Sequence, residues 1–329
     1  MSNLRICVVG AGVMGRGHAE FLRDDIDGVE VVGISDVDVK RAQLLSADLS
    51  EKNQIPVFVD PEQMFKEVNP EAVIIASPDH LHAAHVVLAM KHDLDILCEK
   101  PIAVSLSEAD EAAEGIKEYE TSSGRARVHY GFMRRFDPSY LELRSKIESG
   151  EYGLPLFART TTRNVSSPGI TTDGLFTNIA VHDFDIWRWL TGQEWTSVCR
   201  HQPKPSSLSP QGLADPLIFV AEMSSSFMII ADVVANNNYG YDLRTEVLCE
   251  KGSIEIGTFG DVFTRAHHFA QEAFHGEMVE NWIPRFKDAY IAELRAWVES
   301  VKTGNAHPDL ATAADALAAT RACYLAINS

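Results

Sequence analysis

A lysine stands between a glutamate and a proline, Glu99-Lys100-Pro101, directly after the apolar run Ile96-Leu97-Cys98. At the end of a buried strand, an ammonium group donates a hydrogen bond to a substrate oxygen and favours its alkoxide-like transition state. A strand-terminal salt bridge would use the same residues, and the tripeptide alone does not choose between the two. About 85 residues upstream, Gly10-Ala11-Gly12-Val13-Met14-Gly15 follows another apolar run, Leu4–Val9, and Asp36 comes 21 residues after Gly15 at the end of a second run. Glycines in that pattern, between a strand and a helix, are what a dinucleotide requires. Gly10 makes the tight turn, Gly12 lets the backbone approach the pyrophosphate, and Gly15 lets the helix lie close on the sheet. The helix start then offers amide donors to the phosphates.

Asp36 selects between dinucleotides. Its carboxylate accepts hydrogen bonds from ribose hydroxyls and repels a 2′-phosphate, and the next residue is Val37 rather than a clamping arginine. NAD is therefore expected over NADP, although Arg41 lies only one helical turn away. Ser77-Pro78 falls at the end of the run Ala72–Ala76, on the edge of an open sheet that lines the ligand crevice. His80, His82 and His85 follow without a completing Asp, Glu or Cys, so no metal is expected and His82 reads as a helix-start histidine near the cofactor. Farther on, Asn178 and His182 are four apart on one helical face, where His182 can take a hydroxyl proton as hydride leaves the same carbon.

These residues need a frame. Strand patterns at Leu4–Val9, Val29–Ser35, Val57–Val59, Ala72–Ala76, Ile96–Cys98 and Arg127–Phe132 alternate with helical patterns at Val13–Leu22, Val39–Leu49, Leu81–Met90 and Leu106–Tyr119. That rhythm predicts a mostly parallel, doubly wound sheet over residues 1–125. Ser105 and Glu108 form a capping box for the last of these helices. Residues 126–329 change character. Strands are expected at Leu156–Thr162, Thr196–Arg200, Leu217–Ser224, Phe227–Ala235, Thr245–Cys249 and Ser253–Ile256, and helices at Pro138–Glu148, Ile179–Leu190, Pro284–Val301 and Thr312–Ile327. This is an α+β domain with a largely antiparallel open sheet. Helices cover one face, and a second subunit is one cover for the other.

The length of 329 residues suits two domains, and a net charge of −18 disfavours nucleic acid and anionic membranes as partners. No stretch is long and apolar enough to span a bilayer, and no signal peptide is evident. Cys7, Cys98, Cys199, Cys249 and Cys323 are scattered; Cys7, Cys98 and Cys249 lie in strand-like runs and read as reduced core thiols of a cytoplasmic protein.

With these residues in view, the chain resembles the Gfo/Idh/MocA oxidoreductases over nearly its whole length, and within them the inositol 2-dehydrogenase branch. Glu99-Lys100-Pro101 marks the superfamily. Gly131-Phe-Met133-Arg134-Arg135, His182-Asp-Phe-Asp185, Tyr239-Gly-Tyr241-Asp242 and Arg285-Phe-Lys-Asp-Ala-Tyr290 with Glu293 extend the likeness, and the Met-Arg-Arg and Tyr-Gly-Tyr-Asp segments point to the inositol branch. The resemblance implies a Rossmann domain that binds NAD through Gly10, Gly12, Val13, Met14, Gly15, Asp36, Val37, Ser77, Pro78, His82, Glu99 and Lys100. It implies catalysis by Lys100 and His182 with Asn178, and a cis Lys100–Pro101 bond. It places Met133, Arg134, Asn164, Asn178, His182, Tyr239 and Tyr241 near a polyol, and it implies a homodimer or homotetramer built through the second sheet. From the residues alone, Arg134 and Arg135 serve equally as ion-pairing groups. The chain departs from the family at Asn178, where an aspartate is usual, and at Thr162, where close inositol dehydrogenases tend to carry a histidine. The expected reaction is oxidation of a secondary hydroxyl of a cyclic polyol or sugar, with myo-inositol to scyllo-inosose as the leading case. Another inositol isomer, a pyranose or a keto-sugar reduction is the alternative, and a non-catalytic NAD- and sugar-binding sensor the distant one.

Overall fold

Leu4–Val9 becomes the first strand (β1), buried at all positions but Arg5 because the sheet is covered on both faces. The computed structural model describes residues 3–50, 54–257 and 280–329. The chain divides into two units: one runs to Met133 and takes in Asp288–Thr320, and the other runs Arg134–Lys287 and takes in Arg321–Ser329.

In the first unit, β1, β2 (Val29–Ser35), β3 (Val57–Phe58), β4 (Ala72–Ile75), β5 (Asp95–Glu99) and β6 (Val128–Gly131) form a parallel sheet in the order β6-β5-β4-β1-β2-β3. A short strand, Ala311–Thr312, adds antiparallel to β6. The helices between the strands are α1 (Val13–Asp25), α2 (Val39–Leu49), α3 (Pro61–Val68), α4 (His82–Lys91) and α5 (Leu106–Ser123). The strand order reverses between β1 and β4, which is where open α/β sheets place their ligand crevice. The forward half of the capping box forms: Ser105 Oγ accepts from the Glu108 amide at 3.3 Å, and the Glu108 carboxylate accepts from the Ser105 hydroxyl at 3.0 Å. The periodicity reading passes over α3 because it is only eight residues long. Its start is nonetheless written in Asp60-Pro61, a cap that accepts from the Glu62 amide at 2.9 Å and a proline at the first helical position.

In the second unit, α6 (Pro138–Glu148) is followed by β7 (Pro155–Arg163), α7 (Val181–Thr191), β8 (Trp195–His201), β9 (Leu217–Met223), β10 (Met228–Val234), β11 (Asp242–Cys249) and β12 (Gly252–Ile256). The sheet order is β12-β11-β7-β10-β9-β8, antiparallel throughout except for the parallel pair β7–β10. Strict alternation along β9, buried at every second residue, faces Phe219 onto Phe184 of α7 at 5.0 Å between ring centroids. The opposite face leaves Met228, Ile230 and Leu248 exposed on β10 and β11. The last two helices described are α8 (Trp282–Thr303) and α9 (Ala313–Ile327). Among the described residues no helix is long and apolar enough to cross a membrane, and no group of three His, Cys, Asp or Glu is arranged to hold a metal. Cys7, Cys98, Cys249 and Cys323 are buried thiols and Cys199 is exposed.

His129 on β6 is buried, and burial pulls its imidazole down to about 4, against a backbone hydrogen bond with Ala311 and the Asp95 charge that pull it up. A histidine held below its ordinary 6.5 binds more protons when unfolded. Its contribution to stability is therefore complete above that pH and is lost as the pH falls toward 4. His129→Gln is expected to flatten the acid limb of stability by up to about 3 kcal/mol between those limits, read from urea midpoints across pH. Parallel curves for the two proteins would assign the acid limb to other groups.

Candidate active site

In the first unit, β1 ends in a glycine turn that tolerates no side chain at two positions. Gly10 has φ +96°, and a Cβ there would stand 2.3 Å from the Ala76 carbonyl oxygen beyond β4. A Cβ on Gly15 would stand 1.8 Å from the Gly10 carbonyl oxygen. Gly12 differs: nothing lies within 4 Å of where its Cβ would be, and as the N-cap of α1 it offers no side chain to the helix amides. Open space beside uncapped amides is what a pyrophosphate fills, so the turn fits a dinucleotide. Val13 is exposed and Met14 half-buried beside it.

Asp36 closes the cradle. Its two carboxylate oxygens accept from the Ala11 and Asp38 amides, each at 2.8 Å, which fixes the carboxylate against the glycine turn. Val37 is exposed. Arg41 lies 3.6 Å from Asp36 and 3.6 Å from Asp38, its charge shared between two carboxylates rather than held ready for a phosphate.

The crevice side of β4 and β5 carries the histidines and the lysine. Ser77 is half-buried and Pro78 exposed. His82, the first residue of α4, is 1% exposed. Its Nε2 lies 2.8 Å from the Ser77 carbonyl oxygen and its Nδ1 lies 2.8 Å from the Pro101 carbonyl oxygen. The ring of this helix-start histidine, expected near the cofactor, is engaged by two backbone carbonyls. His85 Nδ1 meets Ser77 Oγ at 2.9 Å, and burial, then the His82 and His80 charges, lower its imidazole. Lys100 is half-buried and its bond to Pro101 is cis. Glu99 is buried, and its Oε1 lies 2.8 Å from His18 Nε2 of α1. Burial pushes the Glu99 carboxyl up, but the His18 hydrogen bond and the His18, Lys100 and His82 charges bring it below the usual range.

His18 is the residue the sequence reading missed. The one sign of it is a polar residue in the buried stripe Gly15, His18, Ala19, Leu22, where helical spacing demands an apolar one.

In the second unit the helix bearing His182 starts differently from expectation. Leu175–Ala180 winds as a π-helix, and the α-helix begins at Val181 rather than Ile179. Asn178 therefore sits in a widened turn, a distortion that recurs at functional sites. His182 is half-buried between buried Val181 and Asp183. Asp183 and Asp185 on the same helix hold the two arginines: Arg134 Nη1 donates to Asp183 at 2.6 Å, and Arg135 Nε donates to Asp185 at 2.9 Å. Thr162 Oγ1 lies 3.1 Å from each Asp183 oxygen. Arg134, expected at the substrate, is thus buried in an ion pair that anchors α7.

Met133 is buried in the first unit. Tyr241 is buried edge-on against Phe286, and burial pushes its hydroxyl up to about 12. Tyr239 is half-buried; its hydroxyl donates to Asp242 at 2.6 Å and accepts from Arg163 at 3.0 Å. Asn164 is half-buried, donating through Nδ2 to Ser167 at 3.2 Å.

Residues 4–123 match the sequence model GFO_IDH_MocA, described as oxidoreductase family, NAD-binding Rossmann fold. Residues 140–255 match the GFO/IDH/MocA C-terminal domain. The chain is 34% identical over 326 residues to inositol 2-dehydrogenase 4 of Saccharopolyspora erythraea, covering 98% of this chain and 93% of that one. It is 35% identical over 302 residues to an inositol 2-dehydrogenase of Streptomyces avermitilis, covering 92% and 85%. It superposes with a TM-score of 0.88 and 26% identity on myo-inositol dehydrogenase from Lactobacillus casei in complex with NAD(H) and myo-inositol, covering 99% of this chain and 94% of that chain.

Proposed function

This chain belongs to the Gfo/Idh/MocA oxidoreductase family, and from that premise we propose that it oxidises a secondary hydroxyl of a cyclic polyol to a ketone, with myo-inositol to scyllo-inosose as the leading case. The observation that carries the substrate class is whole-length likeness to proteins named inositol 2-dehydrogenases. Bound NAD supplies the hydride acceptor. Gly10, Gly12 and Gly15 admit its pyrophosphate to the start of α1, and Asp36 takes the ribose hydroxyls. The Lys100 ammonium donates a hydrogen bond to the substrate oxygen as charge develops there. The His182 imidazole accepts the hydroxyl proton, and Asn178 orients the reacting group without contributing charge. Arg134 contributes by fixing α7 rather than by touching substrate. The exposed Met228, Ile230 and Leu248 face supports self-association through the second sheet.

The test is reduced-nicotinamide formation by the purified protein on myo-, scyllo- and chiro-inositol beside glucose, galactose and xylose, with NAD and with NADP. The expected result is NAD-linked turnover of an inositol. Asp36→Ser is expected to lower the NAD-over-NADP ratio of kcat/KM by about 10- to 100-fold, the worth of one charged hydrogen-bonding group. Turnover confined to a pyranose reassigns the pocket. NAD binding without turnover of any of these in either direction sinks the catalytic reading in favour of a sensor.

A further inference from the structure

Lys100 is flanked on both sides by residues that a buried histidine grips. On one side His18 holds the Glu99 carboxylate, 2.8 Å away, from α1. On the other, His82 holds the Pro101 carbonyl, 2.8 Å away, from α4. Each histidine is 1% exposed. Neither grip is local to the lysine: α1 is the helix that opens at the glycine turn, and the second nitrogen of His82 holds Ser77, next to the Ala76 carbonyl against which Gly10 is packed. The His18 ring is itself set by Tyr290, edge-on at 5.8 Å, with Phe21 stacked on Tyr290 at 6.3 Å.

We infer that His18 and His82 are positioning residues for Lys100: they register the lysine against the glycine turn, so that its ammonium and the cofactor are held in one frame. The inference rests on the proposed catalytic role of Lys100. Hydride chemistry is sensitive to such registration, since a displacement of about 1 Å costs about 100-fold in rate. His18 also keeps the neighbouring carboxylate occupied. Released from His18, Glu99 keeps Lys100 as the leading positive charge acting on it, and their attraction draws Lys100 away from the substrate oxygen.

Three variants test this: His18→Phe, which keeps a ring but no donor; His18→Gln, which keeps an N–H donor; and His82→Gln, which surrenders at least one of the two carbonyl bonds. Two readouts are taken on each, beside calorimetric titration of NAD. One is kcat and KM on the polyol that the wild type turns over. The other is the rate at which acetic anhydride acetylates Lys100, followed by mass spectrometry with no substrate present. His18→Phe and His82→Gln are expected to lower kcat by about 10- to 100-fold, with the dissociation constant for NAD held within about twofold. In His18→Phe, acetylation of Lys100 slows about fivefold or more as Glu99 stabilises the ammonium, and His18→Gln restores both readouts to within about threefold of wild type. If His18→Phe fails to fold, His18→Leu, which also lacks a donor, takes its place in the comparison with His18→Gln. Unchanged kcat and unchanged acetylation in folded His18→Phe and His82→Gln overturn the inference. So does a His18→Gln as impaired as His18→Phe. Acetylation separates this failure from that of the functional reading, because a protein inert toward every polyol still reports whether the histidines govern Lys100.

Discussion

Lys100→Met is expected to lower kcat by about three orders of magnitude while NAD binding stays within about twofold. Methionine keeps the length and packing of the stem and deletes only the ammonium. The loss combines two effects. One is the hydrogen bond to an oxygen acquiring charge, worth about 100- to 1,000-fold for an oxyanion donor. The other is the positive field that favours alkoxide over alcohol at neutral pH. On the proposed reading NAD binding is spared, because the pyrophosphate would rest on the glycine turn and the ribose on Asp36, and neither needs the Lys100 ammonium. Lys100→Arg serves as the control: it keeps the charge but spreads it over a planar fork that cannot take the same place. It should keep NAD binding within the same twofold and recover turnover only in part. Steady-state kinetics with calorimetric titration of NAD separates the cases. A Lys100→Met protein whose KM rises while kcat holds would make the lysine a binding group and leave the proton chemistry to His182 alone.

The cradle was legible in the sequence because its requirements are local. Gly15 admits no Cβ because of the Gly10 carbonyl, within one turn and one helix, Gly10 takes a positive φ in that same turn although its Cβ would meet Ala76 beyond β4, and Asp36 falls at the end of the next strand. Lys100 was legible as a charged residue ending an apolar run. The arginines were ambiguous because a sequence displays charges and not partners: Arg134 and Arg135 find their carboxylates 49 and 50 residues away, on α7. His18 and Glu99 are 81 residues apart and individually unremarkable. Nothing periodic announces that Leu175–Ala180 winds wider than an α-helix, or that β7 pairs parallel with β10 in a sheet of hairpins. The pairing of Ala311–Thr312 with β6 likewise rests on two residues near the far end of the chain. What periodicity conveys is which face is buried. Which buried polar group meets which is settled by tertiary packing.

The Arg134–Asp183 pair carries the second large expectation, and it is asymmetric. Both side chains are almost wholly buried, and removing one partner of such a pair costs about 3–5 kcal/mol, against a total stability of about 5–15 kcal/mol for a typical protein. The cost differs by which partner is removed. Asp183→Asn strands a guanidinium that cannot shed its proton and has only neutral acceptors left. Arg134→Met strands a carboxyl that can neutralise itself. Burial already pushes Asp183 up, and the Arg134 charge and hydrogen bond are the first two influences holding it down. With Arg134 gone the folded carboxyl binds its proton more tightly than the unfolded one, so the folded state gains stability as the pH falls through the raised pKa. The deficit of Arg134→Met should therefore shrink from pH 7 to pH 5, whereas that of Asp183→Asn should not. The double variant, which leaves no stranded charge and keeps the Thr162 hydroxyl bonded to an amide oxygen, should recover to within about 1–2 kcal/mol of wild type. Urea unfolding of the four proteins at both pH values decides the matter. Additive losses in the double variant, or equal pH slopes in the two single variants, would show that the pair does not act as a buried, desolvated unit, and α7 would then owe its place to Arg135–Asp185 and the aromatic packing of Phe184 and Trp187.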